Sequence, residues 1–423
     1  GSTANGSQLT ITADRINLDE GVFKVKGYEV VDLQANQAMV VKEEGELLAE
    51  APLNINAPLI TGGTGADYTI TALDAELTVT GSDPLAALPA DHGLAASLLL
   101  QANSVDFAGR VVLPSGHVHL HQLGDMTSPV TGDNIEIRPE AIIDVAGTSQ
   151  QYGPEIFITD GGTIYVQAET GDINLYTGSE FDVSAGTEMG EAGGIQLESP
   201  NGSLDIATGV AFVAAGNGGD FLLDADTLDV DGVNVGMAYT ELSHLLDNSF
   251  SDRRHIRLRS QGIVHSESLA VRAHDVHLVS DTESIAILGT IDASGQGLDT
   301  VREHGGSITL AAGDVIDIES TAILRATGTI SDAGVPATGT HGGTVELFAL
   351  DADNDDPSAV SDRVNLKAGA VIDVSGGDNP VYAADDYLVS AQQQLDGSVR
   401  IHTRLLDINT GSFVTGDLDA TIV

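Results

Sequence analysis

The sequence predicts an all-β chain: a right-handed parallel β-helix, or solenoid, with about three short strands per coil, inserted loops and one or two short helices. Three observations predict this fold. Short phrases recur along the chain, apolar and polar residues alternate within each phrase, and the composition suits many strands joined by tight turns. A length of 423 residues without a recognisable second globular region also favours a repeat array.

A closing phrase combines an apolar residue, an aspartate and small residues that end in glycine. Its copies are Ile143–Gly147, Phe181–Gly186, Ile291–Gly295, Ile372–Gly376 and the degenerate Leu324–Gly328. An opening phrase begins with paired glycines. Its copies are Gly161–Val166, Gly305–Leu310, Gly342–Leu347 and the shortened Gly193–Leu197. A third short strand, such as Ile173–Leu175 or Val364–Leu366, lies between opener and closer, so each unit contains three strands.

The repeats predict one continuous solenoid over residues 1–423. Residues 92–110 and 236–262 are predicted to be irregular or helical insertions, with helices near 93–102 and 238–247. Residues 351–363 form a predicted acidic loop. Segments such as 148–160 and 187–192 follow the aspartate strand, so we expect these loops to project from one corner of the stack.

The chain is strongly acidic, with 17 Lys and Arg against 63 Asp and Glu, for a formal charge of −46. Such a chain repels nucleic acid and anionic lipid, so neither is an expected partner. No run approaches the roughly 18 apolar residues of a membrane-spanning helix, and we expect no membrane insertion. The absence of cysteine suits an exported solenoid that needs no disulfides, and we expect the N-terminus to be a processed boundary.

The glycine-pair opener and the Ile-Asp-Val/Ala-Ser-Gly closer together resemble the repeat of filamentous-haemagglutinin-like exoproteins, and residues 94–147 add to the likeness. These are the β-helical surface adhesins of two-partner secretion. The resemblance covers most of residues 100–420 and implies an internal or C-terminal segment of such a protein. It implies adhesion, surface display and matrix or biofilm building, with an extracellular or bacterial cell-surface location.

The recurrent aspartates Asp144, Asp182, Asp292 and Asp373 are expected to point outward. Neighbouring coils would bring such carboxylates about 5 Å apart, a spacing compatible with a retaining glycosidase pair or a shared Ca²⁺. A residue that recurs in coil after coil also behaves as a turn or ladder residue, and we name no catalytic residue.

Two further patterns are candidate metal sites. Asp351, Asp353, Asp355 and Asp362 have the alternate oxygen spacing of a calcium loop, although Asp356 stands where that loop requires glycine. A solvated acidic loop is the alternative. His117, His119 and His121 alternate along one strand and share its outer face, where an i, i+2 pair can bind Zn²⁺. Simple exposure of the three rings is the alternative.

One basic group stands out: Arg253, Arg254, Arg257 and Arg259 fall within seven positions. These arginines are a candidate docking surface for an acidic partner, and pairing with charges on neighbouring coils is the alternative.

Taken with the resemblance, these patterns predict a non-enzymatic structural or adhesive rod that needs no cofactor and that could use Ca²⁺. Its expected partners are a host or cell-surface glycan or protein, or further copies of itself stacked end to end or laterally into filaments. The alternatives are a polysaccharide-degrading β-helix enzyme, either a lyase or a glycoside hydrolase, and a Ca²⁺-dependent glycan-binding module.

Overall fold

A computed structural model describes residues 7–124, 133–187, 189–232, 235–247, 249–296, 303–328, 341–349, 364–374 and 376, together with strands 387–393 and 399–405. More than half of the described residues lie in β-strands and a single α-helix is described, which confirms the all-β prediction. The chain divides into two compact units, unit 1 (Gly1–Asp231) and unit 2 (Gly232–Val423). The predicted single stack through residues 1–423 stays a prediction.

Unit 1 contains twenty strands among its described residues. They are β1 (Gln8–Leu18), β2 (Gly21–Val25), β3 (Val30–Val41), β4 (Gly45–Ala49), β5 (Leu53–Asn56), β6 (Ile60–Gly62), β7 (Asp67–Thr80), β8 (Ser97–Phe107), β9 (Arg110–Val112), β10 (His117–Gln122), β11 (Ile135–Ile137), β12 (Ile142–Asp144), β13 (Ser149–Tyr152), β14 (Glu155–Ile158), β15 (Thr163–Ala168), β16 (Ile173–Leu175), β17 (Glu180–Asp182), β18 (Glu191–Ile206), β19 (Ala211–Val213) and β20 (Asn217–Val230).

Three parallel ladders run through unit 1. The first joins β2, β4, β7, β8, β10, β15, β18 and β20. The second joins parts of β1, β3, β5, β7, β8, β11, β16, β18 and β20. The third joins parts of β1 and β3 with β6, β9, β12, β17 and β19. Each repeat therefore supplies one strand to each ladder.

The core of unit 1 follows from the alternation of side chains along these strands. Inward residues of paired strands stack on one another, as Ile143 on Phe181 and Phe181 on Phe212, and all three are buried. The rings of Phe181 and Phe212 lie 5.4 Å apart. Because like residues meet at each step, a short apolar repeat is enough to build a continuous core.

The glycine pairs of the opening phrase lie where two parts of the backbone meet. A Cβ atom on Gly162 would fall 1.9 Å from the carbonyl oxygen of Gly116, and one on Gly193 would fall 1.8 Å from that of Gly162. In unit 2, a Cβ on Gly306 would lie 1.6 Å from the carbonyl oxygen of His274. A side chain on any other residue type would collide with the backbone at these contacts, which explains why the opening phrase has glycine there.

Unit 2 contains fourteen described strands, one described α-helix and one described 3₁₀ turn. They are the 3₁₀ turn Val235–Met237, α1 (Ala238–Leu246), β21 (Arg253–Leu258), β22 (Ile263–His265), β23 (Ala270–Arg272), β24 (Asp275–Ser280), β25 (Ile285–Ile287), β26 (Thr290–Asp292), β27 (Ser307–Ala312), β28 (Ile316–Ile318), β29 (Ile323–Arg325), β30 (Thr344–Ala349), β31 (Val364–Leu366), β32 (Val371–Asp373), β33 (Tyr387–Gln393) and β34 (Val399–Leu405).

Unit 2 repeats the three-ladder arrangement. Its parallel ladders are β21–β24–β27–β30, β22–β25–β28–β31 and β23–β26–β29–β32. The first ladder then ends differently: β34 pairs antiparallel with β30, and β33 pairs antiparallel with β34. An antiparallel strand interrupts the parallel repeat, so this edge of β30 is already occupied.

Two predicted insertions are corrected by the structure. Residues 92–110 are not helical, since β8 covers Ser97–Phe107 and β9 begins at Arg110. In 236–262 the helix is confirmed as α1, but β21 (Arg253–Leu258) occupies the later part. The helix prediction for 93–102 was wrong because it rested on an apolar run that includes Leu99. Leu99 points outward between the buried Leu98 and Leu100.

The predicted loop at 148–160 has structure of its own. It forms an antiparallel hairpin of β13 and β14, with Ser149 opposite Ile158 and Tyr152 opposite Glu155. Ile156 and Phe157 are more than half exposed, at 57% and 58%. The hairpin follows the aspartate strand β12, as predicted for this insertion.

Candidate interaction surfaces

The recurrent aspartates hold turns. The Oδ1 atom of Asp144 accepts a hydrogen bond from the backbone N–H of Ala146 at 3.0 Å, and Asp182 and Asp292 accept the same bond from Ser184 and Ser294 at 2.9 and 3.0 Å. A carboxylate that binds the amide two residues on forms a local Asx turn. The repetition of this bond explains why the closing phrase carries aspartate and supports the interpretation as a turn residue.

Two of these aspartates also pair across strands. Asp144 and Asp182 occupy matched positions of β12 and β17. Burial raises the pKa of Asp144, and the negative charge of Asp182 raises it further. Burial also raises the pKa of nearby Glu180, with Asp182 and Asp144 as further causes. In unit 2 the matched partner of Asp292 is Arg325, so there the ladder alternates in charge.

One outward line of residues on the second ladder of unit 1 is polar at every step; we call it the polar column. Its members are Thr10, Asp32, Asn54, Thr78, Asp106, Glu136, Asn174, Asp205 and Asp229. The matched register places each side chain directly beside the next, about 4.8 Å along the stack. The sequence analysis did not find this column, because it becomes visible only when the strands are aligned in register.

Amides and hydroxyls offset part of the charge in the polar column. Asn54 donates to Asp32 at 2.7 Å, and Asn174 donates to Glu136 at 2.9 Å. The hydrogen bond from Asn54, with further bonds from Gln8 and Thr10, lowers the pKa of Asp32. Burial raises the pKa of Asp205, which also faces the charges of Asp229, Asp172 and Glu136. The column thus changes from amide-bridged to carboxylate-rich along unit 1.

The predicted histidine strand is β10, and its histidines do share the outer face. The ring of His119 stacks on Tyr165 with centroids 4.4 Å apart and lies 5.2 Å from the ring of His121. Burial lowers the pKa of His119 to about 4, and the neighbouring His121 adds to the effect. His119 is therefore neutral near pH 7, held by stacking on the matched residue of the next strand.

One of the three histidines contacts a carboxylate. His121 Nε2 lies 3.1 Å from Glu169 Oε1, His117 hydrogen-bonds Thr163, and the hydroxyl of Tyr165 donates to Glu198. The carboxylate beside His121 was not expected from the sequence. Across the described ranges, no group of three or more His, Cys, Asp or Glu side chains is arranged to hold a metal ion. The histidines form a stacked and hydrogen-bonded surface, and the Zn²⁺ site stays a prediction.

The predicted arginine surface is corrected at one residue. Arg254 is 3% exposed and lies on the inward side of β21 with Ile256 and Leu258, whereas Arg253 and Arg257 lie on the exposed side. Arg254 donates to the backbone carbonyl oxygens of Phe250, Asp247 and Ser249. It therefore cannot dock a partner. The strict alternation of β21 was the signal that places it in the core.

The exposed arginines belong to a mixed charged surface on the first ladder of unit 2. Arg257 makes a bidentate ion pair with Asp281, with N···O distances of 2.8 to 3.2 Å. His255 Nε2 lies 2.9 Å from Asp275 Oδ2, and Ser307 donates to the other oxygen of Asp275. These two bonds lower the pKa of Asp275 against the opposing effect of burial. The alternative interpretation of this basic group was pairing with charges on neighbouring strands. Arg257 shows such pairing.

The predicted calcium loop, Asp351, Asp353, Asp355 and Asp362, lies outside the described residues. In the described part of the chain, no helix is long and apolar enough to cross a membrane.

Comparison with known proteins gives no relative. No family model, curated protein or solved structure matches this chain.

Proposed function

We propose that this chain is an extracellular structural and adhesive protein whose repeats wind into a right-handed parallel β-solenoid. The register of the three ladders supports the winding, because each repeat adds one strand to every ladder before the next begins. Parallel strands joined by crossover connections are almost always right-handed. The resemblance of the openers and closers to filamentous-haemagglutinin-like exoproteins supports the same architecture and the surface location.

The polar column is the single observation that carries the adhesive role. It presents hydroxyl, amide and carboxylate groups at a constant spacing along one ladder of unit 1. A repeated array of hydrogen-bonding groups suits a long glycan or a protein surface, where many weak contacts add up. The recurrent aspartates, by contrast, are engaged in turn bonds, which supports a structural use over a catalytic one.

The proposed partners are a host or cell-surface glycan or protein, or further copies of the chain.

A binding and cleavage assay tests the proposal. The purified chain is incubated with neutral and acidic polysaccharides, and both retention on the polymer and release of reducing ends or unsaturated products are measured. We expect retention without products. The quadruple variant D106N/E136Q/D205N/D229N should change retention, and the single variant D275N, on the other unit, should not. Product formation, or retention indifferent to the polar column, would contradict the proposed role.

A further inference from the structure

Helix α1 covers the first described strand of a ladder in unit 2. The hydroxyl of Thr240 donates to the backbone carbonyl of Val264 at 2.7 Å, and the N–H of Ser266 donates back to that hydroxyl at 3.3 Å. These are backbone groups of β22 and of the residue that follows it. A side chain of the helix therefore satisfies polar groups that a neighbouring strand would otherwise satisfy.

The layer beneath α1 departs from the repeat at two inward positions. Arg254 matches Val276, and further along the same ladder Ile308, while His265 matches Ile287 and then Ile318. All other members of these two inward lines, through Val345 and Leu366, are aliphatic. The coil next to the helix thus exchanges two aliphatic core side chains for a guanidinium and an imidazole.

Arg254 ties down the C-terminal end of α1. Its three bonds go to the carbonyl oxygens of Asp247, Ser249 and Phe250, just beyond the last helical residue. Asp247 and Phe250 have positive φ angles of 44° and 56°, which residues other than glycine rarely adopt. A buried cation at this end also complements the partial negative charge of the helix C-terminus. The end of the helix is thus a strained turn held by one side chain.

His265 lies fully buried in the same layer. Its Nε2 atom lies 3.2 Å from the carbonyl oxygen of Leu269, and its Nδ1 atom has no hydrogen-bond partner within the described residues. The titratable groups nearby are Tyr239 of α1, whose ring is 5.9 Å away, and Arg254 of β21, which interacts with that tyrosine. On β25 the matched residue is Ile287. Among the described residues, no carboxylate stabilises a positive charge on this ring.

We propose that α1 is an acid-labile lid over unit 2, held by Arg254 and released when His265 takes up a proton. Release would uncover the backbone of β22 at Val264 and Ser266 and expose the apolar layer beneath, making a strand edge available only in acid. This inference concerns unit 2 alone and does not rest on the proposed adhesive role.

The direction of the pH effect follows from linkage. Burial lowers the pKa of His265 to about 4 in the closed state, and exposure restores an ordinary value near 6.5. Between these two values the open state binds the proton more tightly, so opening becomes more favourable as pH falls. Between pH 7 and pH 4.5 the opening equilibrium should increase about 50-fold.

Hydrogen–deuterium exchange of the full chain tests the lid. Exchange of peptides covering 238–247 is measured at pH 7 and pH 4.5, corrected for the intrinsic exchange rates, with the β27 peptide 307–312 as internal reference. We expect the protection of α1 to fall about 50-fold relative to β27 in the wild-type chain. His265→Ile reproduces the residue of the next coil, and His265→Gln keeps an N–H for the Leu269 carbonyl, so at least one variant should fold.

Both variants lack a titratable group at this position, and in each folded variant the protection of α1 should be independent of pH over this range. Two results would overturn the lid. One is equal protection of α1 at both pH values in the wild-type chain. The other is a full pH response that persists in a folded variant, which would assign the response to another group.

Discussion

Asp144 and Asp182 lie at matched positions on β12 and β17, and each accepts a hydrogen bond from the backbone N–H two residues further on. The same carboxylate therefore forms a turn within its own repeat and faces a like charge on the next repeat. The turn bond stabilises the closer, whereas burial and the like charge oppose ionisation of Asp144. These two effects can be separated by substitution.

Replacement of Asp144 by alanine removes the turn bond and should lower the free energy of unfolding by about 1 kcal/mol. Asp144→Asn retains an acceptor for the N–H of Ala146 and removes the repulsion with Asp182, so it should equal or exceed the wild-type chain at pH 7. Because the pKa of Asp144 is raised, the advantage of asparagine should shrink as pH falls and the aspartate takes up its proton. Urea unfolding at pH 7 and pH 4 measures the free energy of unfolding of both variants. If Asp144→Asn destabilised the chain as much as Asp144→Ala, the turn role of Asp144 would be contradicted.

Arg254 and its neighbour Arg253 provide a matched pair. Arg254→Met should destabilise unit 2 by about 3 kcal/mol, because three backbone carbonyls near the end of α1 lose their donor. Arg253→Met changes an exposed side chain and should cost less than Arg254→Met. Urea unfolding followed by circular dichroism compares them. Similar losses in the two variants would mean that Arg254 is not the buried member of the pair.

The stacked ring of His119 should titrate unusually low. Because burial and His121 lower its pKa to about 4, its NMR signals should stay those of the neutral ring until the pH falls well below 6. Tyr165→Ser removes the stacked ring and should raise the midpoint toward the ordinary value near 6.5. Tyr165→Phe keeps the stacking and should leave the midpoint low. A wild-type midpoint near 6.5 would show that the ring is open to solvent.

Gly193 and Gly194 are adjacent in the chain but differ in the space around them. A Cβ on Gly193 would meet a backbone carbonyl at 1.8 Å, whereas one on Gly194 meets nothing closer than 3.4 Å. Gly193→Ala should therefore cost about 2–4 kcal/mol through displaced backbone, and Gly194→Ala should cost less than about 1 kcal/mol. Chemical unfolding measures the free energy of unfolding of both variants. Equal losses would contradict the explanation that close backbone contact requires glycine in the opener.

The repeats were enough to predict much of the fold. Ile308 of one opener pairs with Val345 of the next, and Ile291 of one closer pairs with Leu324 of the degenerate copy. Such matches follow from sequence because identical phrases bury identical faces. The helix at 238–247 was also predictable, because Leu242, Leu245 and Leu246 give it an apolar edge.

Other features depend on register or tertiary contact. Leu99 lies beside His119 on the outer face of its strand, although the local composition suggested a helix. Arg254 lies in the core, although the local composition suggested a basic surface. In both cases the alternation of side chains along the strand outweighs the local composition. The polar column joins residues that are 22 to 38 positions apart in the chain, at Asp32 and Asn54 or at Glu136 and Asn174. No short window of sequence contains such a column.

The continuous register of the polar column can be measured with spin labels, because the chain contains no cysteine to interfere. Thr10 and Glu136 are five ladder steps apart and Thr10 and Asp229 are eight, so double electron–electron resonance should give separations of about 24 Å and about 38 Å. Narrow distributions near these values would support a stack in which every repeat adds one step. Separations that do not rise in proportion to the number of steps would contradict the solenoid.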